Sequence, residues 1–208
     1  MIALIDYGAG NLTSVRKALA AVGARVFTPM APGDLGRAAA IVVPGVGHFG
    51  ATRALADPWK RAILDHVERG RPLLGICLGM QWLFEGSEEA PDVEGLGVFA
   101  GRCRRLEARA PDKIPHVGWN AIRVAQPVAL LEGVASDTQM YFTHSFAGPI
   151  TPEAAAVTTH GEPFAAAVAR GRVAGVQFHP EKSGDAGLRI LRNFVGPIDS
   201  VNPDDGGA

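Results

Sequence analysis

The chain has 208 residues, 47% of them hydrophobic, which suits one globular domain with a sizeable core. Its 20 basic and 21 acidic residues nearly balance, so we expect no nucleic-acid partner, because binding a phosphate backbone requires an excess of basic residues. The longest apolar runs, such as residues 38–44 and 72–78, are too short to span a bilayer, and no basic region of a signal peptide precedes the apolar residues 2–5. These features predict a soluble cytoplasmic protein.

The first half of the chain alternates short apolar runs with longer stretches of helical periodicity, which is typical of a parallel sheet flanked by helices. The predicted order is a strand at 2–6, a helix at 12–22, strands at 25–28 and 40–43, a helix at 51–69, a strand at 72–77 and a helix at 80–85. In the helix at 51–69, one apolar stripe at four-residue spacing contains Leu55, Trp59, Ile63 and Val67.

The second half is richer in strands, and a final helix is predicted at 185–195. The predicted strands cover residues 98–106, 121–124, 140–143, 154–159, 165–169 and 173–178. The last two strands flank Arg-Gly-Arg and are expected to form a hairpin. The predicted fold class is therefore α/β: a doubly wound, mostly parallel sheet flanked by helices, with an added antiparallel strand region in the second half. We expect one domain over residues 1–196 and a frayed tail over 197–208, which is rich in Pro, Gly and Asp.

The sequence Gly-Ile-Cys-Leu-Gly at 75–79 lies between an apolar strand and a helix. It is the sulfur counterpart of the G-x-S-x-G nucleophile elbow, a tight strand-to-helix turn that exposes its nucleophile. The positive end of the helix dipole would favour a thiolate at Cys77, and the N–H of Leu78 would point into the same space as an oxyanion donor. The alternative is a buried core cysteine, which is our interpretation of Cys103, since it lacks the flanking glycines. Two cysteines make no disulfide framework.

The tripeptide His179-Pro180-Glu181 follows the last predicted strand. In an extended chain, positions two apart project to one side, and a proline biases the preceding residue toward that geometry. We therefore expect Glu181 to orient the imidazole of His179, as the acid of a catalytic triad does. The alternative is a surface His–Glu pair at a strand end.

Together these motifs resemble those of the class I glutamine amidotransferases, which carry G-x-C-x-G-x-Q and, about a hundred residues later, H-P-E. Further segments narrow the resemblance to the glutaminase subunits of imidazole glycerol phosphate synthase, an enzyme of histidine biosynthesis. They are DYGAGNL from Asp6, PGVG from Pro44, PHVGWN from Pro115, YFTHSF from Tyr141 and SGDAG from Ser183. The resemblance extends from the start of the chain to about Val195. Phe146 departs from it, since tyrosine is expected there, and the missing hydroxyl leaves no polar role for that side chain.

The resemblance implies a flavodoxin-like amidotransferase fold in which Cys77, His179 and Glu181 hydrolyse glutamine through a thioester. It implies three oxyanion donors, with Val46 acting after a reorientation of its peptide: Leu78, Val46 and Gly47. It implies five residues that hold the glutamine: Gly45, Gln81, Glu89, His144 and Ser145. For Glu89 the alternative is a solvated loop acid.

No cofactor or metal is expected. Gly8 and Gly10 follow a strand as in a dinucleotide-binding loop, but the third glycine is replaced by Thr13. His116 and His144 have no carboxylate or cysteine nearby at ligand spacing, so they are assigned structural or substrate-contact roles.

The resemblance also implies a partner in a heterodimer: a cyclase subunit with a (β/α)8 barrel. That subunit would use the ammonia to form imidazole glycerol phosphate and aminoimidazole carboxamide ribotide. Four residues match positions expected at the interface: Asn11, Trp119, Tyr141 and Lys182. For Trp119, a place in the core is the alternative.

Three other functions are open to such a chain. A class I glutaminase serving another acceptor, as in purine, anthranilate or pyridoxal phosphate synthesis, is disfavoured by the PHVGWN context of Trp119. A cysteine hydrolase acting alone gives no reason for Gln81 or for the His-Pro-Glu run. A non-catalytic regulatory subunit has no need of an intact triad.

Overall fold

The computed structural model describes residues 1–107 and 109–199, the last three of these by their backbone alone. The strands in the described residues are β1 (Ile2–Leu4), β2 (Val26–Phe27), β3 (Ala40–Val43), β4 (Leu73–Ile76), β5 (Gly86–Ser87), β6 (Ala90–Glu94), β7 (Arg102–Arg105), β8 (His116–Val124), β9 (Thr138–His144), β10 (Phe146–Ala147), β11 (Ala154–His160), β12 (Glu162–Arg170) and β13 (Val173–Val176). The α-helices are α1 (Leu12–Ala21), α2 (Trp59–Glu68), α3 (Leu78–Leu83) and α4 (Gly184–Asp199). Short 3₁₀ helices cover Pro32–Arg37, Phe49–Leu55, Ala129–Leu131 and Pro180–Lys182.

The main sheet has nine strands in the order β2-β1-β3-β4-β13-β12-β11-β8-β9. The five strands from β2 to β13 pair in parallel, and the pairs from β13 to β9 are antiparallel. The predicted fold class is confirmed, including the antiparallel region in the second half. The hairpin of β12 and β13 is also confirmed, with Arg170 paired to Val173 around the turn.

Helices cover both faces of this sheet, because the side chains of a strand alternate between its two sides. Leu4 of β1 packs in one core cluster with Leu19 of α1 and Ile190 of α4. Its neighbour Ala3 joins the second cluster, which contains Ile63 of α2. The sheet therefore has α1 and α4 on one side and α2 on the other, the arrangement of a doubly wound fold.

A second sheet of four strands, in the order β10-β7-β5-β6, was not predicted as a unit. Only β7 lies within a predicted strand. The strands β5 and β10 have two residues each, too few to show an alternating pattern, and β6 contains Pro91 and two acidic residues. This small sheet carries the turn that contains Glu89.

Two predicted helices have different bounds in the structure. The predicted helix at 51–69 is divided into the 3₁₀ helix Phe49–Leu55 and α2, because Pro58 disfavours the helical conformation at the residue before it. The last helix, α4, continues past Pro197 to Asp199, into the start of the predicted tail. The rest of that tail, residues 200–208, lies outside the described residues. Within the described chain, no helix combines the length and the apolar character needed to cross a membrane.

The packing of α4 against the sheet predicts a large stability difference between two isoleucines. Ile190 is completely buried in the core, whereas Ile150 is 50% exposed. We expect Ile190→Ala to lower the free energy of unfolding by about 2–5 kcal/mol, because it leaves a cavity. Ile150→Ala removes the same atoms and should change it by only about 0.5 kcal/mol. Urea denaturation followed by circular dichroism measures both, and equal losses would contradict the packing described for α4.

Candidate active site

Cys77 lies at a strained turn between β4 and α3, as the elbow motif predicts. Its backbone has φ 52° and ψ −108°, a conformation that residues other than glycine rarely adopt and that costs about 1–3 kcal/mol. Two backbone hydrogen bonds hold it: Cys77 N–H donates to Val176 O at 2.8 Å, and Gln81 N–H donates to Cys77 O at 3.0 Å. The turn therefore ties the nucleophile candidate to the neighbouring strand β13.

The two glycines of the motif permit close packing around this turn. A Cβ atom on Gly75 would lie 2.6 Å from the carbonyl oxygen of Gly79, and one on Gly79 would overlap the carbonyl oxygen of Val43. Both positions lack space for a side chain, so α3 can approach β3 and β4 only if residues 75 and 79 are glycine.

His179 and Glu181 form a buried pair. His179 Nδ1 lies 2.8 Å from Glu181 Oε1, and each side chain is 2% exposed. His179 is extended, with φ −101° and ψ 97°, as predicted, but Glu181 lies in the 3₁₀ helix Pro180–Lys182 rather than in an extended chain. The expected contact is confirmed, although a turn produces it, and it makes the surface-pair alternative wrong.

The surroundings of His179 favour its charged form. Burial lowers the pKa of His179, but the nearby side chains of Cys77 and Glu181 raise it to about 10. Among the described residues, Nε2 of this ring has no hydrogen-bond partner. The ring is therefore protonated at neutral pH. An imidazolium at this position can act as a general acid toward a substrate held above Cys77.

The backbone of His179 is held by Tyr141 and Ser183. His179 N–H donates to Tyr141 O at 2.8 Å, the Ser183 hydroxyl donates to His179 O at 2.6 Å, and Tyr141 N–H donates to Ser183 Oγ at 3.0 Å. Ser183 was not predicted as a site residue, although it begins the SGDAG segment quoted above. Its hydroxyl links the histidine to β9.

A cavity of about 310 Å³ opens above Cys77. The residues that line it are Val46, Gly47, Cys77, Leu78, Gln81, Glu89, Pro115, Thr143, His144, Ser145 and Phe146. It thus brings together all the predicted oxyanion and substrate residues except Gly45, which contacts Leu78 directly. Its size and polar wall suit a small polar molecule such as an amino acid.

A larger cavity of about 600 Å³ lies between α2 and β6, and its described lining includes none of the predicted catalytic residues. Its cations pair with neighbouring carboxylates, at Arg53–Asp92, Lys60–Glu94 and Arg61–Asp57. We therefore place the chemistry at the smaller cavity.

The predicted oxyanion donor Leu78 is already engaged. Its N–H donates to the carbonyl oxygen of Gly45 at 3.3 Å. The loop at 44–47 is held in this position by Tyr7, whose hydroxyl donates to Pro44 O at 2.8 Å. In this conformation the Gly45 carbonyl, and not a second N–H group, faces the amide of Leu78.

Gln81 lies beneath the cavity, with its amide bound to the protein. Its Nε2 donates to Phe146 O at 2.7 Å and to Gln177 Oε1 at 3.2 Å. Phe146 therefore acts through its backbone carbonyl, so the absence of a tyrosine hydroxyl leaves this contact intact. Gln177, which was not predicted as a site residue, also lies 3.6 Å from the sulfur of Cys77 through Nε2.

Glu89 and His144 line the cavity but have partners of their own. Glu89 is half-buried in a turn, and its Oε2 accepts from the N–H of Phe49 at 2.6 Å. His144 bonds to Phe146 O through Nδ1 at 2.9 Å and to His116 through Nε2 at 3.1 Å. Both ring nitrogens of His144 therefore have protein partners, and His116 is one of them.

Three of the four predicted interface residues lie together on one surface. Trp119 is 57% exposed, which excludes the core alternative, and its ring contacts that of Tyr141 edge-on at 6.0 Å between centroids. Lys182 Nζ lies 5.6 Å from the centre of the Tyr141 ring. Asn11 caps α1 by accepting from Ser14 N–H at 3.2 Å, and α1 contacts the 3₁₀ helix that contains Lys182.

A family model described as glutamine amidotransferase class-I matches residues 3–197. The chain belongs to the class I glutamine amidotransferase family. It is 44% identical over 200 residues to the imidazole glycerol phosphate synthase subunit HisH of Deinococcus radiodurans, covering 93% of this chain and 92% of that protein. It is 40% identical to the chloroplastic imidazole glycerol phosphate synthase hisHF of Arabidopsis thaliana, covering 95% of this chain and 34% of that protein. A crystal structure of a glutamine amidotransferase shares the fold, with a TM-score of 0.73 and 20% identity over 95% of this chain and 98% of that one.

The contact between Glu181 and His179 predicts a change in the pKa of the histidine. Glu181→Gln removes an acceptor and a negative charge that stabilise the imidazolium, so the pKa of His179, about 10 in the parent, should fall by roughly one to three units. Glu153→Gln removes a carboxylate that pairs with Arg170 beside the β12–β13 turn, and it should leave the pKa unaltered. NMR titration of the His179 ring measures the shift. An unchanged titration in Glu181→Gln would contradict the orienting role of that carboxylate.

Proposed function

We propose that this chain hydrolyses glutamine to glutamate and ammonia and delivers the ammonia to the cyclase subunit of imidazole glycerol phosphate synthase. The observation that carries the proposal is the strained turn of Cys77 beside the buried His179–Glu181 pair, at the floor of a small polar cavity. In this pair of subunits the cyclase uses the ammonia to form imidazole glycerol phosphate and aminoimidazole carboxamide ribotide.

The first half of the reaction forms a thioester. The Cys77 thiolate attacks the side-chain carboxamide carbon of glutamine, forming a C–S bond and an oxyanion. The imidazolium of His179 then donates its Nε2 proton to the amide nitrogen. The C–N bond breaks as the oxyanion collapses, and ammonia leaves. A protonated resting His179 suits this step, because the acid is present before glutamine binds.

The second half hydrolyses the thioester. The neutral His179 takes a proton from water, and the resulting hydroxide attacks the thioester carbon. Collapse of this second oxyanion breaks the C–S bond, releases glutamate and returns the thiolate beside the imidazolium. Through both halves Glu181 keeps Nδ1 protonated and Nε2 directed at the reacting atoms.

Oxyanion stabilisation needs a rearrangement of the loop at 44–47. The Gly45–Val46 peptide now presents its carbonyl to Leu78 N–H. Rotating that peptide would free the N–H of Leu78 and turn the N–H of Val46 toward the oxyanion. Each such donor contributes about 2.7–4 kcal/mol to transition-state stabilisation. Gly45 lowers the barrier to rotation, since glycine accepts a wide range of backbone angles, and Gly47 already has φ 101°.

We assign the binding of glutamine to polar residues in and around the cavity wall. The carboxylate of Glu89 offers a negative partner for the α-ammonium group, and Gln81 and Ser145 offer polar groups around the side-chain amide and the α-carboxylate. Gly45 adjoins this wall through its bond to Leu78. His144 contributes a rigid wall, because both its nitrogens already bond to the protein.

A partner subunit follows from the chemistry and from the relatives. Ammonia released into water becomes protonated and diffuses away, so its acceptor must be adjacent. The relatives' names describe a subunit of imidazole glycerol phosphate synthase, and the plant relative has a further two thirds of chain that this protein does not match. We assign the partner a (β/α)8 barrel, docked on Trp119, Tyr141, Lys182 and Asn11. Aromatic residues suit the centre of such an interface.

The nucleophile assignment is tested with two cysteine variants. Cys77→Ala should abolish glutamate release from glutamine, since no other group forms the thioester. Cys103→Ala removes a buried cysteine that does not line the cavity and whose thiol reaches only the backbone carbonyl of Gln81, so it should retain most of the activity. A coupled glutamate dehydrogenase assay measures both. Full activity of Cys77→Ala would contradict the mechanism.

The partner assignment is tested with a cyclase subunit of imidazole glycerol phosphate synthase and its nucleotide ligand. We expect this subunit to bind and to raise the rate of glutamate release, and Trp119→Ala to weaken binding by about 2 kcal/mol or more, as for an interface hot spot. Met30→Ala, an exposed residue after β2 at the opposite edge of the sheet from β9, should bind as the parent does. Isothermal titration calorimetry measures the affinities. If this cyclase neither binds nor raises the rate of glutamate release, and the acceptor subunit of another pathway does both, the partner assignment is wrong and the chain serves that other pathway.

A further inference from the structure

Gln177 occupies a completely buried position between the side chains of Cys77 and Gln81. Gln177 is the first residue after β13. It lies beside Cys77, because the preceding residues Val176 and Ile76 pair in the sheet. Its Oε1 lies 3.2 Å from Gln81 Nε2, and its Nε2 lies 3.6 Å from the sulfur of Cys77. One side chain thus contacts both a candidate substrate residue and the sulfur.

The orientation of the Gln177 amide is determined by its neighbours. The carbonyl oxygen of Phe146 can only accept, so the Gln81 group at 2.7 Å from it is the NH2 group. The second N–H of that group points to Gln177, which must therefore present its oxygen to Gln81. The nitrogen of Gln177 consequently faces the Cys77 sulfur as a donor.

A chain of buried and partly buried hydrogen bonds holds the Phe146 carbonyl in place. Burial and the nearby His116 lower the pKa of His144 to about 3, so its ring is neutral; Nδ1–H donates to Phe146 O, and Nε2 accepts from His116. Burial and nearby His160 likewise lower the pKa of His116 to about 4, and its Nε2 accepts from Asn120 Nδ2. Each bond in this chain has one permitted direction, so the orientation at Gln177 is not free to reverse.

The sulfur of Cys77 has different partners in its two protonation states. As a thiol it can donate to Thr143 O, which lies 3.9 Å away. As a thiolate it can only accept, and the N–H of Gln177 is then the matching group. Hydrogen bonds to charged groups are stronger than those between neutral ones, so this contact favours the thiolate.

We propose that Gln177 is a positioning residue that holds the Cys77 sulfur as a thiolate and locks it to Gln81 through one amide of defined orientation. The inference rests on the proposed function only in taking Cys77 as the nucleophile. It adds a contact to the sulfur besides that with Thr143 O, and it explains why a polar side chain occupies a fully buried position at a strand end.

The test is the pH dependence of Cys77 alkylation by iodoacetamide, measured on the whole chain without glutamine or partner and assigned by peptide mass spectrometry. Gln177→Met keeps the length of the side chain and removes the N–H. We expect the midpoint of the rate–pH profile to rise by about one pH unit, the scale of one hydrogen bond to a charged group. The limiting rate at high pH should rise slightly, because a more basic thiolate is more nucleophilic.

Thr158→Val is the matched control, since it removes a buried side-chain hydrogen bond, to Ala121 O, away from the sulfur. It should leave the midpoint unchanged. A folded Gln177→Met protein with the parent midpoint overturns the proposal. If Gln177→Met does not fold, Gln81→Met serves instead: it removes the donor that orients Gln177 and should also raise the midpoint, and an unchanged midpoint overturns the proposal. If the parent protein has no glutaminase activity, the proposed function is overturned, but the alkylation experiment still tests the contact between Gln177 and Cys77.

Discussion

The parallel pairing of β3, β4 and β13 is the constraint on which the site depends. Val43 pairs with Gly75, and Gly75 pairs with Gly175, so the carboxyl ends of the three strands lie at one edge of the sheet. The loop at 44–47, Cys77 and the segment at 177–181 each follow one of these strands. A shift of one residue in this register would turn the side chains of a strand to the opposite face and separate the sulfur from its neighbours. The proposed active site is therefore a direct product of backbone pairing.

The same edge connects the proposed interface with the proposed base. Tyr141 presents its ring to Trp119 on the surface, while its backbone carbonyl accepts from His179 N–H and its own N–H is held by Ser183. A subunit that covers this ring therefore lies one residue away from the backbone of the histidine. Asn120, next to Trp119, begins the hydrogen-bond chain through His116 that ends at Phe146. Two series of hydrogen bonds, one through Tyr141 and one through Asn120, thus connect the surface around Trp119 with the active site.

The sequence predicts those parts of the site that local chain geometry produces. The glycines on either side of Cys77 and the two-residue spacing of His179 and Glu181 are patterns within a few residues, so they can be recognised in the sequence. The parallel strands are recognisable as apolar runs. Gln177 has no such signal, because its partner Cys77 is 100 positions away and only the strand register brings the two together. The small sheet escapes prediction since β5 and β10 are two residues long, and the division at Pro58 overrides the apolar stripe that predicted one continuous helix.

The orientation of a single peptide is likewise invisible in the sequence, yet the rate of the proposed reaction depends on it. With Gly45 O bonded to Leu78 N–H, the attacking thiolate would create an oxyanion facing a carbonyl instead of two amide donors. Forfeiting both donors at about 2.7–4 kcal/mol each would slow the chemistry by several orders of magnitude, even with thiolate and imidazolium in place. With the nucleophile in place but the oxyanion donors missing, glutamine would be hydrolysed only slowly until the loop at 44–47 rearranges. Since ammonia is useful only beside its acceptor, a partner that stabilises the turned loop would couple hydrolysis to the presence of that acceptor. The bond between Gly45 and Leu78 is then the element that such a partner has to displace.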